Sequence, residues 1–163
     1  MSSKIFRLAT ILFICPIVLS AQVSERKLSD TIQYLIAEIT SLENEAYQQE
    51  LFVLNFDPCN LEIHLTPRNN PDKWNIYSFW LPNLDENQMQ LLPQKNGEWT
   101  LILKSMSLEL LEDKRKEIQF SKDDDSGFTD TVMIYGADKD SLISIGKAMY
   151  FSIQQCKGLD RFK

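Results

Sequence analysis

Cys59, Cys156, His64 and the aspartates at 123, 125 and 130 are the side chains whose chemistry is worth weighing first. Neither cysteine sits in a Cys-x-x-Cys pair, which argues against redox catalysis, and a chain with a single histidine is poorly supplied for zinc. What two lone cysteines can do is join each other, provided the chain leaves the reducing cytosol. Closing a loop on the order of 100 residues gives roughly 4 to 5 kcal/mol in the chain-entropy treatment, and measured bridges usually give about 2 to 4 kcal/mol. The pair therefore reads as a structural staple.

His64 needs an orienting acid and a nucleophile to act as a base. Strand alternation puts Glu62 on its face, but no nucleophile can be placed there from the sequence, so His64 reads as an exposed surface residue. Asp123-Asp124-Asp125-Ser126-Gly127, with Asp130 beyond, is the one stretch suited to a hard cation. Calcium loops of the EF-hand type end in a bidentate glutamate twelve positions on, where Ile134 and Tyr135 stand instead. A solvated hairpin turn is the simpler reading, with Asp123, Asp125 and Asp130 left as a minor metal candidate. The chain has only five glycines, none clustered into a phosphate loop, and no Gly-x-Ser-x-Gly setting. No cofactor is expected.

Export is the premise behind the staple, and the N-terminus supplies it. Lys4 and Arg7 precede an apolar run from Leu8 to Leu19, closing on Ser20-Ala21, in the order of a cleaved secretory signal. A membrane-spanning helix needs about 20 apolar residues, and this run is shorter and contains Pro16. Residues 1–21 are expected to be removed after Ala21, with a cut after Ser20 as the alternative. Lipidation of Cys15 is a further reading, but the small residue usual just before such a cysteine is missing. The mature chain is expected to be secreted or periplasmic.

Processing deepens the acidity, since Lys4 and Arg7 are two of 17 basic side chains set against 23 acidic ones, and the whole chain already stands at −6. A scattered acidic surface disfavours nucleic acid and anionic membranes, both of which need clustered positive charge. The one basic cluster, Lys114-Arg115-Lys116, is flanked by Glu109, Glu112, Asp113 and Glu117.

The elements that must position these residues fit one domain over 22–163. Leu28, Ile32, Leu35, Ile39 and Leu42 form one apolar stripe on a helix from about 24 to 46. From about 50 to 136 short aromatic and β-branched segments alternate with turns, giving about seven antiparallel strands. Leu51–Phe56 is apolar on both faces and is expected to be buried on both. Leu61, Ile63 and Leu65 alternate with Glu62, His64 and Thr66. Trp74, Ile76 and Trp80 share one face of the third strand, with Tyr77, Phe79 and Leu81 on the other. A helix from about 138 to 157 closes the chain, with Leu142, Ile145, Met149, Ile153 and Cys156 on its buried side and Gly158 as its stop.

The fold class is thus α+β and mainly antiparallel β, with a helix at each end. Seven strands followed by a capping helix, over Leu51–Lys157, resembles the element order of pleckstrin-homology-like domains. That resemblance implies a partly open barrel and a scaffold binding peptides or lipids. The first inter-strand turn, Asp57-Pro58-Cys59-Asn60, lacks the basic residues that lipid headgroups require. The alternative fold is a two-layer sheet with both helices on one face. The aromatic strand supplies a candidate binding patch of Trp74, Tyr77 and Trp80, joined by Trp99, unless the N-terminal helix covers it. The leading functional expectation is a non-catalytic exported module binding a protein or peptide of the cell envelope. The alternatives are a small hydrolase using a surface carboxylate pair and a purely structural or inhibitory envelope protein.

Overall fold

Among the described residues eight strands, grouped in two antiparallel sheets, alternate in the chain between one layer and the other. The structure, a computed structural model, describes residues 26–106, 118–122 and 125–160. The expected signal segment 1–21, Asp123 and the stretch 107–117, which holds the ambiguous segment after Met106 and the basic cluster, lie outside the described residues. Strands β1 (Tyr47–Val53), β2 (Asn60–Pro67) and β3 (Asn75–Trp80) form a meander. The chain then crosses to β4 (Gln90–Pro93) and β5 (Trp99–Lys104), returns for β6 (Ile118–Lys122) and β7 (Asp125–Thr129), and crosses again for β8 (Thr131–Gly136). The sheet orders are β1-β2-β3-β6-β7 and β4-β5-β8, and the two sheets are not closed into a barrel.

Alternation decides which face is dry. Leu51, Leu61, Ile63, Leu65, Phe79 and Ile118 line the inner face of the five-stranded sheet, and Leu101, Leu103, Val132 and Ile134 that of the three-stranded sheet. Helix α1 (residues 26–41) adds Leu28, Ile32, Leu35 and Ile39 to the same core. Helix α2 (Lys139–Asp160) adds Leu142, Ile145, Met149, Ile153 and Cys156. The expected stripes are the buried ones, each full burial stabilising by about 1.5 to 3 kcal/mol. The helices run side by side, with Lys27, Asp30 and Thr31 facing Lys147, Ala148 and Phe151 across a shallow groove.

Several boundaries differ from expectation for local reasons. The first helix stops at residue 41 rather than 46 because Asn44 takes over the backbone, its Oδ1 accepting from the amides of Ala46 and Tyr47. Buried Glu98 fixes that exit by accepting from the Glu45 amide at 2.7 Å and the Asn44 side chain at 2.9 Å. Asp138 caps α2, its Oδ2 accepting from the Ser141 amide at 2.8 Å. These bonds, from the Ser141 hydroxyl first, hold the Asp138 carboxyl below the usual carboxylate range. Gly158 does not end α2, which runs to Asp160. In the aspartate-rich segment, Asp125–Thr129 is a strand paired with β6 rather than part of a turn.

Side-chain bonds and one disulfide tie the layers and helices together. At their corner the buried Gln49 of β1 donates from Nε2 to the Tyr135 carbonyl at 2.6 Å and accepts the Tyr135 amide at 2.8 Å. One side-chain amide thus satisfies an outward-facing pair of β8 groups that would otherwise need another strand. At the far end Cys59 and Cys156 are bonded, with Cα atoms 5.7 Å apart. Replacing both cysteines by serine is expected to lower stability by about 2 to 4 kcal/mol; a urea unfolding midpoint unchanged from wild type would show that the bond carries no such load.

Candidate functional site

The five-stranded sheet has a second face, and neither helix covers it: the buried stripes of both helices belong to the core against its inner side. Four registers in succession line up one residue per strand across this outer face. Phe52 pairs with Glu62, Glu62 with Ser78, Ser78 with Gln119, and Gln119 with Phe128. With strands about 4.8 Å apart, this row spans about 19 Å. Its ends are exposed phenyl rings, Phe52 at 40 % and Phe128 at 60 %. Its middle is polar and low, so the surface forms a shallow channel. One end of the channel is lined by Ile76, Ser78, Gln119, Ser121, Ser126 and Phe128. The other is lined by Asn55, Asp57, Asn60, Glu62, Trp80 and Gln119.

Within the channel Glu62 is held on both oxygens. His64 Nε2 donates to Oε1 at 2.5 Å, and Ser78 Oγ donates to Oε2 at 2.7 Å. The Phe52 ring lies 4.6 Å from the imidazole, so His64 is half-buried rather than freely exposed. A hydroxyl, a carboxylate and an imidazole are therefore together, but with the carboxylate in the middle. Nucleophile activation puts the imidazole on the hydroxyl and the acid behind it. Here the Ser78 proton points at Glu62, which orients and fixes the carboxylate without generating an alkoxide.

The rim of the channel is the turn after β1. The Asp57 amide donates to the Leu54 carbonyl at 3.0 Å, closing a β-turn whose two central residues, Asn55 and Phe56, both have positive φ (54° and 58°). Two such residues in succession mark the type I′ class, whose second central position favours glycine. A phenylalanine there is strained, and Phe56 recovers nothing by burial, since its side chain is fully exposed at 101 %. Leu51–Phe56 is therefore not a strand buried on both faces: β1 ends at Val53, and Phe52 and Phe56 point to solvent. The turn itself is stiff. Asp57 Oδ1 accepts the Cys59 amide at 2.9 Å, the Leu54 amide donates to Asn60 at 2.8 Å, and Cys59 is bonded to α2.

The four aromatic residues of the expected patch are not one surface. Trp80 lines the channel and Trp74, at 36 % exposed, lies just before β3. Tyr77 alternates to the inner face, its ring 5.5 Å from Phe120. Trp99 belongs to the other sheet, with the Lys139 ammonium 4.8 Å from its ring centroid. Of the metal candidates, Asp123 lies outside the described residues. Asp125 opens β7, and Asp130 follows its end, with Oδ1 accepting from the Thr131 hydroxyl at 2.8 Å. Among the described residues no group of three or more potential ligands could hold a metal ion.

A second aromatic group gathers where the sheets meet. Tyr47 stacks on Tyr135 with ring centroids 4.9 Å apart. Burial, and then the neighbouring phenols of Tyr47 and Tyr77, push Tyr135 up to about 12. Burial first, and Tyr47 second, raise Tyr77 as well. Comparison with family profiles, curated proteins and solved structures finds no match to this chain.

Two measurements test these assignments. Phe56→Gly removes the steric cost of a side chain in the left-handed region, about 1 to 2 kcal/mol, and is expected to raise the unfolding midpoint; a lowered midpoint would show that the phenyl ring supports the fold. For Tyr135, an unfolded tyrosine ionises near pH 10, so between about 10 and 12 the folded chain keeps a proton that the unfolded chain has lost. Stability is then highest below pH 10 and falls as pH rises toward 12. Ultraviolet titration should show a late phenolate that Tyr135→Phe deletes, and an unchanged curve in that variant would refute the assignment.

Proposed function

We propose that this chain is an exported, non-catalytic binding module whose outer sheet face engages a protein or peptide partner in the cell envelope. One observation carries the reading. A fully exposed Phe56 is held in a conformation that disfavours it, beside a channel whose ends are two more exposed phenyl rings. Residues kept in unfavourable backbone regions point to function when folding gains nothing from them. Exposed aromatic rings around a polar floor are the composition of binding hot spots. The bond between Cys59 and Cys156 supports export, because such bonds persist in oxidising compartments.

The order Ser78, Glu62, His64 favours binding over hydrolysis, since the carboxylate intercepts the hydroxyl proton that an imidazole would have to take. The test is site-resolved. A photocrosslinking residue placed at 56 or 128 in cells should give a discrete adduct in the envelope fraction. The same residue at 150, exposed on α2 and remote from the channel, should give none. Adducts that form equally from all three positions, or from 150 alone, would sink this reading.

A further inference from the structure

The charge and shape of the channel narrow what it can hold. Among the described residues no lysine or arginine lines either of its ends, whereas Asp57 and Glu62 do. Glu50 also points to this side, beside His64 in the register. The whole chain carries −6, so its long-range field adds to the local one and draws positive groups inward. Among the described residues of this face His64 is the cationic-capable group, and it is spent on Glu62 at 2.5 Å.

The aromatic rings narrow it further. Phe52, Phe56 and Phe128 carry no hydrogen-bonding tip, so they suit aliphatic stems and cations over a ring face rather than hydroxyl-rich surfaces. Between them Ser78 and Gln119 keep the floor low enough for an extended chain, and Asn55, Asn60 and Gln119 can bond its peptide groups.

Resting on the reading of this face as a binding surface, we propose that the channel takes an extended basic peptide segment of a partner protein. An arginine or lysine head lies against Glu62 and Asp57. Its stem and the neighbouring apolar side chains pack on Phe52, Phe56 and Phe128. The anchored turn holds Phe56 and Asp57 in place before the peptide arrives, which lowers the ordering cost of binding.

The experiment uses the oxidised mature chain and a fluorescently labelled peptide alternating arginine with leucine, read by anisotropy. Matched peptides with glutamate or glutamine in place of arginine, and a neutral oligosaccharide, serve as comparisons. The arginine peptide is expected to bind most tightly, and less so as salt rises. Phe56→Ser, whose side chain touches no core, should weaken it about tenfold or more, as should the pair Asp57→Asn and Glu62→Gln with circular dichroism unchanged. Equal binding of the glutamate peptide, indifference to Phe56→Ser, or no binding of the arginine peptide overturns the inference. Binding of the oligosaccharide alone, lost in Phe56→Ser, overturns the peptide class but leaves the surface. The surface itself falls only if crosslinking from 56 and 128 also fails.

Discussion

Cys59 is where the molecule is tied together. Its sulfur is bonded to α2, its amide donates to Asp57 at 2.9 Å, and its carbonyl accepts from Leu81 at 2.8 Å. Three parts of the chain thus converge on one buried residue: the turn after β1, the end of β3, and the last turns of the final helix. The rest of that end follows. α2 cannot slide along the inner face, so Met149 and Ile153 stay in the core shared by both sheets. The turn cannot open, so Phe56 stays out in water. A covalent link that restricts the unfolded chain here also restricts the geometry of the rim of the channel.

Such a link is useful only because the two sheets are otherwise joined sparingly. Among the described residues they share no strand, and they do not close into a barrel. What bridges them is side chains: Gln49 to the β8 backbone at one corner, and Glu98 to the exit of α1 at another. Glu86 does the same for the C-terminal end of α2, accepting from Gln154 and Lys157. Burial works most strongly against ionisation of Glu86, yet the Lys157 bond, a bond from its own backbone amide and the Lys157 charge together outweigh it and hold the carboxyl below its ordinary range. Polar groups buried in this way stabilise an interface when each is fully bonded. The described residues hold no buried side-chain nitrogen or oxygen without a partner.

The sequence made the fold legible where one residue's neighbours suffice to predict its side. The stripe Leu28, Ile32, Leu35, Ile39 and the stripe Leu142, Ile145, Met149, Ile153 are periodic within single helices, and each is buried as read. Leu61, Ile63 and Leu65 alternate within one strand and are buried too. The candidate site was less legible because it depends on pairing between strands. Ser78 reaches Glu62 only through the β2–β3 register, and Gln119 and Phe128 enter the row only through two more. Nothing local to any of those residues encodes its partner. The aromatic strand misled for the same reason. Alternation already separates Tyr77 from Trp80, but only the strand pairing shows that Tyr77 lies on the inner face, that Trp80 lines the channel and that Trp99 belongs to the other sheet. Phe56 did carry a signal, Asn55 ahead of Asp57-Pro58, but a phenylalanine in a position that favours glycine disguised the turn.

That disguise is itself the argument for the site. A chain shaped by stability alone would place glycine or asparagine at position 56, gaining free energy and losing an exposed phenyl ring. The alternation of β1 likewise offers a polar side chain at position 52, as it does at Gln48 and Glu50 on the same face. Both positions instead carry phenylalanine, on a sheet face that the helices leave open and around a carboxylate already oriented by two donors. Each choice costs the isolated protein something, in strain at one residue and in exposed apolar area at the other. On the proposed reading the two costs are offset together by a single event, the arrival of a partner that covers the rings and neutralises the acid.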